Sequence, residues 1–311
     1  MKKVFSYLLA LAVILFGLMA LFPEDTTTLA VALERSASGL DHKTVIVDGE
    51  TWHYLEGGPV DAEVLLLLHG FGGDKDNWTR FARSLTTDYR VIAPDLPGFG
   101  ESVWHPDWDY SLFPQRDRVN AFVQALSLRQ FHIAGNSMGG HLAALYTDRY
   151  PDEVISLALL DNAGVEAPEE SDFWRALAKG KNPLIAESVG DFDVLLSFAA
   201  YKKPFVPWPV KGVFARWAVD HAESNDAIFD AYISDRSTSL EPILADINEP
   251  VLIVWGEFDR ILDVSSVDVM TALLPQAEVV IMKDTGHIPM LERPAKTAAL
   301  YLDFLAKNPL S

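Results

Sequence analysis

The chain has no cysteine in 311 residues. Disulfides, thiolate catalysis, Cys-ligated zinc and a lipidated N-terminal cysteine are thereby excluded. Basic residues are scarce too: 25 Lys and Arg stand against 44 Asp and Glu, a net charge of −19. No Lys/Arg cluster exists to neutralise phosphates, which excludes a nucleic-acid partner, and the acidic excess reads as a solvated surface. No H-E-x-x-H, no metal-spaced His cluster and no G-x-G-x-x-G loop occurs, so no metal or cofactor is expected. Internal repeats and low-complexity tracts are missing as well. Nothing in the sequence specifies an oligomeric state. What remains, 49% hydrophobic and 22% charged residues, is ordinary for a globular enzyme of one large domain with an insertion, or of two small ones.

Long apolar runs are confined to the N-terminus. Met1-Lys2-Lys3 precedes Val4 to Phe22, nineteen residues without a charge. As a helix this run spans about 28 Å, close to the hydrocarbon thickness of a bilayer. Lys2 and Lys3 lie before it, Glu24 and Asp25 after it, and the next basic residue is Arg35. That asymmetry keeps the N-terminus in the cytoplasm and sends the remainder across. The run exceeds the apolar core of a cleavable signal, and the small-x-small triplet Ala30-Val31-Ala32 lies far downstream. Residues 1–23 are therefore read as an uncleaved membrane anchor in preference to a removed signal peptide. The protein is expected to be exported, held on the extracytoplasmic side, or secreted or periplasmic if cleavage occurs. Residues 24–41, Thr-rich and small, read as a tether.

Beyond the tether, Thr44–Val47 and Thr51–Tyr54 flank an Asp-Gly turn, a hairpin signal. Val64–Leu68 is an unbroken aliphatic run, a strand buried on both faces as in a parallel sheet. Further strands are expected at 90–93, 131–136, 155–160, 251–255 and 279–282. Helices are expected at about 77–85, 114–126, 138–146, 265–274 and 294–306. Residues 165–240 break this rhythm with crowded aromatics and Pro204, Pro207 and Pro209, and read as an inserted helical cap. The fold class is α/β: a mostly parallel twisted sheet flanked by helices, its core split into residues 42–164 and 241–308 around the cap.

Gly135-Asn136-Ser137-Met138-Gly139 sits where the strand at 131 gives way to a helix. In such a G-x-S-x-G turn the glycines leave room for strand and helix to meet, and the serine is pushed out above the sheet on a strained backbone. Two glycines so placed around a given serine arise by chance well under ~1% of the time. Ser137 is thus the candidate nucleophile, and the N–H of Met138 a candidate oxyanion donor. A serine hydroxyl needs an imidazole to take its proton and a carboxylate to hold that imidazole, in the chain order Ser, acid, His for this motif. Of the eight histidines, only His287 follows a plausible acid, and it lies at a strand's C-terminal end. His141 reads as packing on the sheet, His132 lies in a strand, and His42, His53, His105 and His221 fall in hairpin or loop contexts. Asp259, just beyond the strand at 251–255, is the favoured acid. Asp161 after the preceding strand competes with it, and Asp263 does so more weakly. Asp95 precedes the serine and reads as a turn cap. His69-Gly70-Phe71-Gly72-Gly73, after the first buried strand, brings the N–H of Phe71 forward as a second oxyanion donor.

Together with Asp95-Leu96-Pro97-Gly98-Phe99-Gly100, Trp255-Gly256-Glu257-Phe258-Asp259 and Gly286-His287, these motifs resemble the α/β-hydrolase superfamily over about residues 42–306. Within it, Asp259-Arg260-Ile261-Leu262-Asp263-Val264 and Leu291-Glu292-Arg293-Pro294-Ala295-Lys296-Thr297 are similar to the bacterial family V lipases and the membrane-anchored monoacylglycerol lipases. The resemblance implies an α/β-hydrolase fold and hydrolysis of carboxylic esters with lipid-like acyl groups through an acyl-enzyme. Ser137, Asp259 and His287 stand at the matching positions. Gly135-Asn136-Ser137-Met138-Gly139-Gly140 also resembles the carbon–carbon bond hydrolases of aromatic degradation, which work in the cytosol, whereas this N-terminus is that of an exported chain. Serine at 137 excludes the Asp nucleophile of dehalogenases and epoxide hydrolases. The motifs are also compatible with a non-catalytic binding protein of the same fold and with a cofactor-free perhydrolase. The expected partners are a small ester or lipid and a membrane.

Overall fold

In the computed structural model, which describes residues 2–234 and 236–310, the chain begins with two helices, α1 (Lys2–Leu21) and α2 (Pro23–Ala37). Among the described residues no helix is long and apolar enough to cross a membrane. The expected anchor falls partly outside the description: residue 1 is not described, nor are the side chains of residues 2, 3, 5 and 10–15. The expected tether is corrected: most of residues 24–41 is α2, and strand β1 already begins at Leu40. Pro23 presets the backbone of the first turn, where its missing N–H costs nothing, and Glu24 and Asp25 in that turn and Arg35 in the last complement the helix dipole. These end signals outweigh the modest propensity of its threonines.

The hairpin β1 (Leu40–Val47) and β2 (Glu50–Gly57) leads to β3 (Val64–Leu68), a short 3₁₀ turn at Lys75–Trp78, α3 (Thr79–Ala82) and β4 (Arg90–Pro94). Then come α4 (Leu112–Ala125), β5 (Phe131–Asn136), α5 (Met138–Arg149) and β6 (Val154–Leu160). Between β6 and the next strand lie α6 (Asp172–Leu177), α7 (Asp191–Ala199), α8 (Val210–Asp220) and α9 (Ala222–Ser234), followed by α10 (Glu241–Leu244). The chain closes with β7 (Val251–Gly256), α11 (Ser266–Leu273), β8 (Glu278–Met282), α12 (Pro289–Glu292) and α13 (Pro294–Leu305).

The eight strands form one sheet in the order β1-β2-β4-β3-β5-β6-β7-β8. The β1–β2 and β2–β4 pairs are antiparallel and every other pair is parallel. Strand alternation divides the core in two. Leu66, Leu68, Ile133 and Trp255 pack with Phe122 of α4, Tyr146 of α5 and Met270 of α11. Leu65, Leu67, Ala134 and Val254 face the other way, toward Phe81 of α3 and Tyr301 and Phe304 of α13. Burial on both faces is why these strands read as unbroken aliphatic runs. The chain reverses its direction across the sheet at β3, and crevices outside the C-terminal strand ends near such a point are where open sheets take ligands.

The inserted helices leave and rejoin the core at one place. Leu240 N–H donates to Gly164 O at 2.8 Å, and Glu166 N–H to a Glu241 carboxylate oxygen at 2.7 Å. The insertion thus stands on a narrow neck above the C-terminal strand ends.

Candidate active site

Ser137 is the corner between β5 and α5, with φ +56° and ψ −122°. A non-glycine residue there costs about 1–3 kcal/mol and persists only when its surroundings fix it. Here they do. A Cβ on Gly135 would lie 2.2 Å from Gly139 O, and one on Gly139 would lie 2.3 Å from Leu68 O and 2.4 Å from His69 O. Strand β5, helix α5 and the end of β3 therefore touch through bare backbone. Met138 occupies the first helical position, where an N–H has no intrahelical acceptor. The loop after β3 is equally close, since a Cβ on Gly70 would stand 3.0 Å from Ser137 Cβ.

His287 Nδ1 lies 2.7 Å from Asp259 Oδ2. The other oxygen of Asp259 accepts the N–H groups of Ile261 at 2.8 Å and Leu262 at 3.0 Å. The carboxylate is thus fixed by its own turn before it meets the ring. The ring's backbone is held in turn, since His287 N–H donates to Ala199 O at the end of α7, 2.9 Å away. Of the acids weighed from the sequence, Asp259 contacts the imidazole. Asp161 is fully buried and accepts Gly256 N–H at 2.7 Å. Asp263 accepts Ser265 N–H at 2.9 Å, an ordinary turn contact.

Ser137, His287, Gly70 and Phe71 line one cavity of about 630 Å³. One wall is apolar, with Leu184, Phe192, Leu196, Phe214, Trp217 and Ile261. The other end is polar, with Arg35, Asp74, Asp76, Arg80 and Glu101. Helix α2 supplies Thr28, Val31, Glu34 and Arg35 to this wall. It is pinned by the pairs Arg35–Asp76 at 2.5 Å and Arg80–Glu34 at 2.6 Å.

Several braces escaped the sequence reading. Asn136 Nδ2 donates to Leu160 O at 3.0 Å and to His287 O at 2.9 Å, tying the residue before the serine to the histidine loop. Glu292 accepts Gly286 N–H and Lys202 N–H, each at 2.8 Å, joining that loop to the cap. Burial raises its carboxyl above the ordinary range. Lys75, almost wholly buried, places its ammonium 2.6 Å from Asp95 and 2.6 Å from Glu101. Asp95 also accepts the N–H groups of Lys75 and Glu101, so the expected turn cap is also one half of a buried ion pair. His69 donates from Nδ1 to Gly70 O at 2.8 Å and accepts Leu96 N–H on Nε2 at 3.0 Å. That is the neutral ring, in keeping with burial lowering its basicity. Asn136, His69, Asp95 and Glu292 stood within motifs read from the sequence, whereas Lys75 carried no sequence signal.

His141, expected to pack on the sheet, instead reaches the cap's base, with Nε2 2.6 Å from Thr238 O. Among the described residues two groups bring three potential metal donors within 4.8 Å of one another. One is Asp161, Asp259 and His287. The other is His42, His53 and Glu101, where His42 Nε2 is 3.1 Å from His53 Nδ1. The Lys75 ammonium on the same Glu101 oxygen opposes a cation there.

The profile of the α/β-hydrolase fold matches residues 63–294. The chain is 38% identical to Lipase 1 of Psychrobacter immobilis over 282 residues, 90% of this chain and 89% of that protein. It is 31% identical to the monoacylglycerol lipase ABHD6 of Bos taurus over 269 residues, 83% of this chain and 80% of that one. Among solved structures, a membrane phospholipase A described as a bacterial virulence factor superposes with a TM-score of 0.90 at 44% identity, covering 99% of both chains.

Proposed function

Because the chain belongs to the α/β-hydrolase fold family, we propose that it hydrolyses carboxylic esters of lipid-like substrates by forming an acyl-enzyme on Ser137. The observation that carries this reading is the 2.7 Å His287–Asp259 pair together with a strained serine, with Ser137 and His287 opening on one cavity that has an apolar wall and a polar end. Nδ1–H faces the carboxylate, which leaves Nε2 free to take the Ser137 proton as Oγ attacks the ester carbonyl. The N–H groups of Met138 and Phe71 stabilise the oxyanion. His287 then protonates the departing alcohol, and a water activated by the same ring releases the acid. The acyl chain lies along Leu184, Phe192, Leu196, Phe214 and Ile261, and the alcohol faces the polar end. Monoacylglycerols and related single-chain glycerolipids have this division of character.

The test is a panel of p-nitrophenyl esters from short to long chains, run beside monoacylglycerols. Ser137→Ala lowers kcat on the order of 10⁶-fold while the protein stays folded. Activity within tenfold of wild type removes Ser137 from the role.

Residues 4–22 also hold the enzyme at a bilayer with its body on the extracytoplasmic side. The supports are the charge asymmetry around that run and the cap loop beside it. Phe16 of α1 stacks on Trp208 with centroids 4.7 Å apart. Phe205 is 79% exposed and Trp208 51% exposed, while their neighbours Pro204 and Val206 line the cavity. Aromatic side chains of this kind settle at membrane interfaces. Deleting residues 2–22 leaves turnover of a soluble short-chain ester unchanged and lowers that of vesicle-embedded monoacylglycerol, and Trp208→Ala lowers only the second. Equal losses on both substrates from Trp208→Ala assign the residue to the pocket and overturn docking. A cut beyond Pro23 is no test, because α2 walls the cavity.

A further inference from the structure

The buried carboxyl at the end of β6 has no role in the steps above. Asp161 is 0% exposed and sits at φ +44°, a strained value for a residue with a side chain. Its Oδ1 accepts Gly256 N–H at 2.7 Å, and its Oδ2 is buried without a partner. An oxygen of Asp161, an oxygen of Asp259 and a ring nitrogen of His287 all lie within 4.8 Å of one another.

Close, buried carboxylates disfavour each other's ionised form, so one of the two is expected to keep its proton. The donors decide which one carries the charge. Asp259 receives three: Ile261 N–H, Leu262 N–H and His287 Nδ1. Asp161 receives one and has a free oxygen. We propose that Asp161 is a positioning residue held in its neutral form, donating a hydrogen bond from Oδ2–H to the Asp259 carboxylate and so fixing the group that orients His287. The proposal rests on the assignment of Asp259 and His287 made above. An orphaned buried oxygen becomes a donor, and Asp259 keeps a single charge for a single imidazole.

The ionisable groups facing Asp161 are Asp259 after β7, His287 after β8 and, further off, Glu292 on α12. Burial first, and then the charge of Asp259, push the Asp161 carboxyl well above the usual carboxylate range. Raising the pH far enough removes its proton and sets a second negative charge against Asp259. The proposal therefore attaches an alkaline loss of activity to Asp161.

The test uses the full-length chain with p-nitrophenyl butyrate, and infrared difference spectroscopy in the Ser137→Ala background, where no turnover occurs. Asp161→Asn keeps both a donor and an acceptor in place, so kcat falls about threefold or less and the alkaline limb of the pH profile disappears. Asp161→Ala lowers kcat roughly 10- to 100-fold, as loss of a supporting hydrogen bond usually does, with little change in KM. The spectrum of Ser137→Ala shows a protonated carboxyl band at neutral pH that is missing from Ser137→Ala/Asp161→Asn. Without that band the proposal fails, whether or not the enzyme is an esterase. It fails equally if Asp161→Asn is as impaired as Asp161→Ala, or keeps the alkaline limb. Should Asp161→Ala not fold, the band and the Asn profile still decide.

Discussion

Replacing Gly139 by alanine puts the contact geometry of the elbow to a quantitative test. The new Cβ would stand 2.3 Å from Leu68 O and 2.4 Å from His69 O. A carbon rarely comes nearer than about 3.3 Å to a carbonyl oxygen, so α5 must retreat by about 1 Å from the end of β3. Both obstacles are backbone, which cannot swing aside. The cost falls at the upper end of overpacking, about 3 kcal/mol, or about 5 °C in Tm for a chain of this size. The same retreat separates the N–H of Met138, carried by α5, from that of Phe71, carried by the loop after β3. A misplacement of about 1 Å in a catalytic group costs on the order of 10²-fold in rate. The control is Gly212→Ala on α8, where the nearest atom to the new Cβ is Arg216 Nη1 at 3.8 Å. There alanine simply stiffens a helix, for a gain of about 0.5 kcal/mol. Differential scanning calorimetry and kcat on p-nitrophenyl butyrate, measured on both variants, give opposite signs in Tm and a loss of rate only in the first. A Gly139→Ala enzyme within threefold of wild-type kcat and 2 °C of wild-type Tm refutes the reasoning.

Asp259→Asn favours the wrong imidazole tautomer and lowers kcat by roughly 10⁴, whereas Asp263→Asn stays within about threefold; the reverse ranking in steady-state kinetics moves the acid. Lys75→Met leaves the fully buried Asp95 carboxylate without its ammonium and destabilises the fold by about 3–5 kcal/mol in urea unfolding; a loss below about 1 kcal/mol makes the pair ornamental. Burial first, and then the charges of Asp76 and Asp95, raise the Asp74 carboxyl from 3.8 to about 7. A carboxyl whose folded value is raised contributes stability below about 3.8 that is lost as the pH climbs to about 7. Asp74→Asn therefore flattens the pH dependence of Tm between those limits and is more stable at pH 8 by about 1–2 kcal/mol, its partial exposure discounted; an unchanged slope refutes this.

The sheet was legible in the sequence because its parallel strands are buried on both faces and so appear as aliphatic runs. Val64–Leu68 is bounded as expected, and Val154–Leu160 and Val251–Gly256 differ from expectation by one residue at an end. The elbow was legible because its glycines answer a steric demand that no residue with a side chain meets. Helix α2 was missed for a different reason. Its threonines and small residues gave no apolar stripe, while the Pro, Glu and Asp at its start and the Arg at its end are weaker signals, easily passed over. The sequence favoured Asp259 but left Asp161 in competition, since both follow strand ends that converge on one imidazole. Asn136 to His287 and Lys75 to Asp95 and Glu101 join positions far apart in sequence, and no local pattern records such partnerships.

The neck at Gly164 and Leu240 makes the inserted helices a separable attachment. The loops that carry the serine, the acid and the histidine leave strand ends outside it, so its length and composition can change while the strands below hold their register. Grafting a foreign segment between these two positions is a rational way to exchange the acyl wall while the chemical groups stay put. Cap-to-core hydrogen bonds limit the freedom: Ala199 O receives the His287 N–H, Lys202 N–H donates to Glu292 and Phe173 N–H to Arg260 O, so any replacement has to present matching backbone groups at those spots. Chain-length preference in such chimaeras then becomes a property of a cassette, tuned apart from the machinery that breaks the ester.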